Sequence, residues 1–106
     1  MLGTMYHLGE RVAQDYKEAV WWYRKAAEQG YADGQFGLGA MYANGHGVLQ
    51  DSALAHMWFN IAGANGDELG ADNRAKMEKM MTAPQIAEAQ KLAQKCMNTN
   101  YKSCDR

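Results

Sequence analysis

The sequence predicts an all-α protein, specifically an α/α solenoid of helix-turn-helix repeats that ends in a C-terminal capping helix pair. Three observations support this class. The chain repeats itself with a period of 36 residues, its apolar residues recur at helical spacing, and it contains one proline among 106 residues. A period of about 20–50 residues is typical of arrays in which each unit buries its apolar face against its neighbours.

The internal repeat is the strongest of these signals. Shifting the sequence by 36 residues gives 13 identities in 34 aligned pairs, whereas unrelated positions would give roughly two. The matched pairs include Leu2 with Leu38, Tyr6 with Tyr42, Gln14 with Gln50, Trp22 with Trp58 and Gly30 with Gly66. We therefore divide the chain into a truncated first repeat (1–30), a second repeat (31–66) and capping helices with a tail (67–106).

The second repeat predicts two helices joined by a loop. Asp33 is positioned to cap the first helix, and Gly45 and Gly47 interrupt it. Asp51 is positioned to cap the second helix. The equivalent loop and second helix are expected in the first repeat, where the opening helix is shortened.

Helical spacing assigns most large apolar side chains to a core between the helices. The residues that share the core stripes are Leu38, Met41, Tyr42, Trp58, Phe59, Trp22 and Tyr23. Trp21 and Met57 are expected on the back of the second helix of each repeat, where they would be partly exposed. Val48 and Leu49 are expected to anchor the loop.

Residues 67–106 predict the terminal helix pair. Asp67 opens a helix that extends to about Met81, and Thr82-Ala83-Pro84-Gln85 has the composition of a capping box with proline in the first turn. The apolar positions expected on the first of these helices are Leu69, Met77, Met80 and Met81. The outer face of the last helix is polar, which is what ends a helical stack.

The combined motif resembles the Sel1-like repeat family, a relative of the tetratricopeptide repeat. The family pattern is a helix with LG-x-MY, a loop G-x-G-V-x-Q-D and a helix A-x-x-W-Y/F-x-x-A-A that ends in glycine. Residues 38–63, LGAMYANGHGVLQDSALAHMWFNIAG, and residues 2–30 carry this pattern. Arg11 departs from it at the second loop glycine, and Gly63 departs from it at the second alanine. In such proteins a pair of helices with T-x-P-Q-I-x-x-A-Q often follows the last repeat, which implies a complete C-terminus here.

The resemblance implies a non-enzymatic adaptor of a bacterial type that binds another protein or peptide through the concave face of the array. The residues expected on that face are Thr4, Leu8, Phe36, Ala40, Asn44, Asp72 and Lys76. Phe36 is the leading candidate, because it is a large apolar side chain opposite the core stripe. Two alternatives remain. One is a small-ligand binder or hydrolase related to cysteine-rich Sel1-like β-lactam-binding proteins, and the other is a purely structural end segment of a longer array.

Composition and motifs argue against several other classes. The formal net charge of −1 lacks the basic footprint of a nucleic-acid-binding protein, and no run of about 18 apolar residues predicts a membrane span. No cofactor or metal is expected, since His7, His46 and His56 show no ligand spacing and are interpreted as structural, on the surface or partly buried. The serine motifs G-x-S-x-G and S-x-x-K are absent.

Cys96 and Cys104 are the two cysteines of the sequence. They form either a disulfide that fastens the tail to the last helix or two reduced thiols of a cytoplasmic protein. Extracytoplasmic Sel1-like proteins contain cysteine-paired helices, so the resemblance favours the disulfide and a periplasmic or secreted location. The cytoplasmic alternative stays open.

The N-terminal edge presents apolar side chains with little sequence ahead of them, namely Leu2, Met5 and Tyr6. A solenoid end normally needs a polar surface. We therefore expect either that further repeats precede Met1 or that this edge forms a homodimer.

Overall fold

The computed structural model describes residues 13–102, 104 and 105. Its helices are α1 (Ala13–Glu28), α2 (Ala32–Asn44), α3 (Ser52–Ala64), α4 (Glu68–Glu78) and α5 (Ala83–Asn98). No strand occurs within these residues, and the all-α class is confirmed. Thr4, Leu8 and the apolar N-terminal edge lie outside the described residues.

The first four helices stack in chain order. From α1 to α4 each helix packs on the next one along the chain, and α5 packs chiefly on α3. Helices α2 and α3 are the hairpin of the second repeat, and α1 is the second helix of the first repeat. The predicted helical-repeat solenoid with its terminal helix pair is thereby confirmed.

Two glycines 36 residues apart allow neighbouring helices to touch through their backbones. A Cβ on Gly70 would lie 2.8 Å from the backbone nitrogen of Gly63 and 2.8 Å from the carbonyl oxygen of Phe59. A Cβ on Gly34 would lie 2.8 Å from the backbone nitrogen of Ala27. Since Gly63 also lies at the crossing of α3 and α4, the helices meet where the family pattern has alanine and this chain has glycine.

The core lies around α3 and contains the positions that the repeat marks. Its largest fully buried hydrophobic side chains are Trp58, Leu38, Met41, Met57 and Ile61. Tyr23 from α1 and Ala93 from α5 belong to the same cluster. The core therefore runs continuously from the first repeat into the terminal helices.

The predicted burial is wrong at Trp22, Leu49 and Met57. Trp22 is 37% exposed, Leu49 is 90% exposed, and Met57 has no exposed surface. Met57 is buried because α3 is packed by α2, α4 and α5, which leaves no outward side. Among the described helices α1 packs mainly on α2, so Trp22 keeps part of its ring in solvent. Val48, in contrast, packs against the core as expected for a loop anchor.

The helix caps follow the sequence signals with one exception. The Asp51 carboxylate accepts a bond of 3.0 Å from the backbone N–H three residues ahead. Thr82 and Gln85 form the predicted capping box, with reciprocal bonds of 2.8 and 3.2 Å. Helix α2, however, begins after Tyr31, whose side chain forms no cap bond. Asp33 lies in the first turn instead, where its charge complements the helix dipole.

Helix α4 is shorter and less buried than predicted. It ends at Glu78 rather than near Met81. Leu69 is 58% exposed and Met80 is 76% exposed, while Met77 is buried. Because α4 packs mainly on α3, only a narrow stripe of this helix is covered.

We expect Gly70→Ala to reduce the free energy of unfolding by about 1–3 kcal/mol, because the added methyl group collides with the backbone of α3. Gly63→Ala should reduce it less, since its Cβ would lie no closer than 3.1 Å to the atoms of α4. Urea denaturation followed by circular dichroism measures both. A Gly70→Ala protein that matched or exceeded the wild type, as helix propensity alone would give, would show that the two backbones are not in contact.

Candidate functional site

An open groove of about 470 Å³ lies between the first turns of α2 and α4 and the turn that joins α3 to α4. Its lining residues are Ala32, Asp33, Asn65, Gly66, Asp67, Glu68, Leu69 and Asp72. Gly66 has a φ of 101°, which an L side chain adopts only with strain, so this turn depends on glycine. The groove thus forms where the second repeat meets the terminal helices.

The groove is acidic and has an apolar side chain within it. Its lining includes four carboxylates and no lysine or arginine. Asp67 caps α4 by accepting a bond of 2.9 Å from the backbone N–H of Leu69. Asp33, Glu68 and Asp72 are exposed, as is 58% of Leu69. This combination favours a partner segment that carries positive charge beside an apolar residue.

A buried amide, that of Gln35, is hydrogen-bonded to a residue that lines the groove. Gln35 is fully buried, and its side-chain N–H donates to the carbonyl of Ala27 at 3.2 Å. The Asn65 amide donates to the side-chain oxygen of Gln35 at 2.8 Å and to the hydroxyl of Tyr101 at 3.1 Å. This network joins the end of α1, helix α2, the turn after α3 and the tail. The sequence analysis did not identify Gln35, although a polar residue close to an apolar stripe is a signal for such a role.

The structure places Asp72 in the lining of the groove. Phe36 lies further along α2, where it is half-buried and its ring centroid is 5.5 Å from that of Phe59. Phe36 therefore packs on the edge of the core, whereas the sequence analysis placed it on a side that the core does not use.

The other described residues of the predicted face, which lie along α2 and α4 beyond the groove, are Ala40, Asn44 and Lys76. Of these, Asn44 donates to the Ala40 carbonyl at 3.0 Å.

A buried histidine connects α3 to α4. His56 has no exposed surface, which corrects the expectation of a surface or partly buried residue. Its Nε2 is 2.7 Å from Oε2 of Glu78, and Arg74 donates to the same oxygen at 2.8 Å. The hydrogen bond with His56, followed by the charge of Arg74, lowers the pKa of Glu78. A fully buried ring cannot reach a substrate. We therefore assign this triad a structural role, in which it joins α3 to α4.

A second polar cluster forms where the C-terminal tail meets the repeats. Oδ2 of Asp105 accepts hydrogen bonds from Arg24 and, at 2.6 Å, from the hydroxyl of Tyr42. Oδ1 of Asp105 accepts from the indole N–H of Trp58 at 3.3 Å. Arg24 also donates to the Tyr42 oxygen at 3.1 Å. The sequence analysis did not predict this cluster, because its members are up to 81 residues apart in the chain.

Charge and burial in this cluster keep Arg24 and Tyr42 protonated. Burial alone lowers the pKa of Arg24, but the hydrogen bond with Tyr42 and the charge of Asp105 raise it above its ordinary value. Burial and the hydrogen bond to Asp105 raise the pKa of Tyr42. At neutral pH the carboxylate therefore faces a guanidinium and a phenol that both donate to it.

The tail is held in place by a disulfide between Cys96 and Cys104. Asn100 and Tyr101 have φ values of 55° and 67°, and the Tyr101 N–H bonds to the Cys96 carbonyl at 2.9 Å. The chain thus turns back after α5 and runs towards the repeats. Among the residues described, no group of three His, Cys, Asp or Glu side chains is arranged to hold a metal ion.

The comparisons with known proteins agree with this architecture. The family model of the Sel1 repeat matches residues 1–31 and 32–67, and the chain belongs to the Sel1 repeat family. This confirms the resemblance drawn from the repeated motif. A search of the curated proteins gave no match.

Among solved structures, the chain is similar to the crystal structure of c5321, a protective antigen present in uropathogenic Escherichia coli strains that displays an SLR fold. The TM-score is 0.85 and the sequence identity is 36%. The match covers 97% of this chain and 22% of the c5321 chain. Among the described helices, none combines the length and the apolar character that crossing a membrane requires.

We expect Glu78 to make the stability of the fold sensitive to acid. A carboxyl group whose pKa is lowered by folding stabilises the fold above its unfolded pKa and loses that contribution as pH falls through the folded value. Glu78→Gln should therefore be less stable than the wild type near neutral pH. The difference should shrink as pH falls below the ordinary carboxyl value of 4.5.

Urea denaturation at a series of pH values measures this difference. Asp72→Asn, which removes an exposed carboxylate from the same helix, is the control. A constant difference between Glu78→Gln and the wild type down to about pH 3 would contradict the role of the His56 bond.

Proposed function

We propose that this chain is a non-enzymatic protein-interaction segment that binds a partner protein or peptide along the surface beginning at the acidic groove between α2 and α4. The observation that carries the proposal is the position of the groove. It lies where adjacent units of the array meet, and it combines four carboxylates with the exposed side chain of Leu69. Sel1 repeats are typically protein-interaction modules, which supports a role of this class.

We propose that the binding surface continues from the groove into the face expected from the sequence, because residues four apart share one side of a helix. The stripe on α2 that starts in the groove comprises Ala32, Phe36, Ala40 and Asn44. The stripe on α4 comprises Glu68, Asp72 and Lys76. We assign both stripes to the proposed binding surface, whose acidic end favours basic side chains in the bound segment.

Several observations support binding rather than catalysis. Within the described residues both cysteines are in the disulfide and His56 is fully buried. The sequence lacks the serine motif S-x-x-K. The disulfide is compatible with a periplasmic or secreted location, where such bonds persist, and we propose that location.

Charge reversal in the groove tests the proposal without touching the core. The immobilised wild type, Asp72→Lys and Glu88→Lys would be incubated with extract and envelope fractions of the source cells, and retained proteins would be compared by mass spectrometry. Glu88→Lys is the matched control, because it makes the same charge change on an exposed part of α5. We expect a partner that the wild type and the control retain and that Asp72→Lys loses.

Phe36→Ala extends this test along the surface, provided that circular dichroism shows that the variant is folded. Equal recovery of the partner by all variants would contradict binding in the groove. The absence of any specific partner would contradict the proposal and favour the alternative of a structural end segment.

A further inference from the structure

The polar cluster around Asp105 resembles a binding site in which the chain's own tail is the ligand. Three helices supply its donors: Arg24 from α1, Tyr42 from α2 and Trp58 from α3. All three donate to one carboxylate, that of Asp105, and both carboxylate oxygens are used. The repeats therefore build the receiving side of this cluster, and the tail contributes the acceptor.

The receiving side is rigid, because the core fixes two of its three side chains. With the tail in place, Trp58 is 1% exposed and Tyr42 is 6% exposed, so the surrounding core holds both side chains in position. A buried indole N–H without an acceptor is destabilising. The site is accordingly suited to a carboxylate.

The tail enters this site as a tethered ligand. Cys104, which directly precedes Asp105, is bonded to Cys96 at the end of α5. Tyr101 forms a second attachment, with its hydroxyl bonded to Asn65 and its ring beside Gly30. A ligand held by so short a link has an effective concentration in the millimolar range, so a partner in solution competes with it poorly.

We propose that Arg24, Tyr42 and Trp58 form a binding site for an aspartate carboxylate of another polypeptide, which the chain's own tail closes as long as the Cys96–Cys104 disulfide is intact. The contacts of Tyr101 and Asp105 define the ligand as an acidic peptide with tyrosine four positions before aspartate. The three donors lie outside the acidic groove, whereas the tyrosine of the ligand bonds to Asn65, which lines it.

A dithiol reductant opens the site by two exchange steps. One thiolate of the dithiol attacks the sulfur of Cys104, which is the more exposed of the pair, and Cys96 leaves as a thiolate. The second thiolate of the dithiol then displaces Cys104 and closes a disulfide within the reductant. The chain gains two electrons and two protons as two thiols, and the dithiol is oxidised to its disulfide.

The full-length Asp105→Asn protein tests the site, because its tail lacks the competing charge. The probe is a fluorescently labelled peptide with the sequence of residues 99–106 in which serine replaces the cysteine. A second peptide with asparagine in place of the aspartate is the matched control. Fluorescence anisotropy measures binding to the oxidised protein and to the protein reduced with dithiothreitol.

We expect the reduced variant to bind the aspartate peptide at least about tenfold more tightly than the asparagine peptide, since the lost bonds involve a charged group. The oxidised variant should bind the aspartate peptide more weakly than the reduced one. Adding Arg24→Gln should abolish the preference for aspartate. Equal binding of the two peptides by the folded, reduced variant, or no binding of either, would overturn the proposal.

A measurement on the wild type keeps the proposal testable if Asp105→Asn does not fold. Proton exchange of the Trp58 indole N–H, followed by NMR, should accelerate at least about tenfold on reduction, because release of the tail removes the acceptor. Trp21, whose ring is 52% exposed on α1, is the internal reference. An unchanged exchange rate at Trp58 after complete reduction would show that the disulfide does not close the site.

Discussion

Direct backbone contact at the helix crossings is the constraint on which the rest of this structure depends. Gly34 and Gly70 occur at the same place in successive units, and each brings its helix against the preceding one with no side chain between them. This close approach sets the angle and the spacing of the stack. It positions α4 beside α3 so that His56 meets Glu78, and it leaves the acidic groove open between the ends of α2 and α4. An alanine in either place would move a whole helix rather than a single side chain.

Buried and half-buried polar groups add specificity to this apolar arrangement. Gln35, His56 and the carboxylate of Asp105 each bond across elements that are distant in sequence. A buried polar group is tolerated only where its partner is correctly placed, so each of these groups favours one register of the stack over others. Two of them also bear on function, since Gln35 supports the groove and Asp105 occupies the carboxylate site of the repeats. The tail takes part in both clusters, through Tyr101 in the first and Asp105 in the second.

The sequence predicted the elements better than it predicted their surroundings. The repeat located the helices, the caps at Asp51 and Thr82, and most of the core, because these features depend on residues a few positions apart. The sequence did not predict that Met57 is buried and Leu69 exposed, because their burial depends on which helices pack against α3 and α4. Phe36 shows the same limit, since its ring packs on Phe59 only once α2 and α3 have been brought together. Of the predicted binding face, Asp72 lies in the groove, and the role of that face stays a prediction.

The sequence by itself determined the class of this protein. The period of 36 residues, the glycines and the Tyr and Trp positions define a Sel1 repeat array, because local spacing fixes helices and repeated spacing fixes how identical units stack. The tertiary structure decided which residues come together at each site. The acidic groove joins two helix starts that are 36 residues apart, and the carboxylate site joins Arg24 to Asp105 across nearly the whole chain. No periodic pattern encodes the second of these pairs, since it depends on the path of the complete backbone.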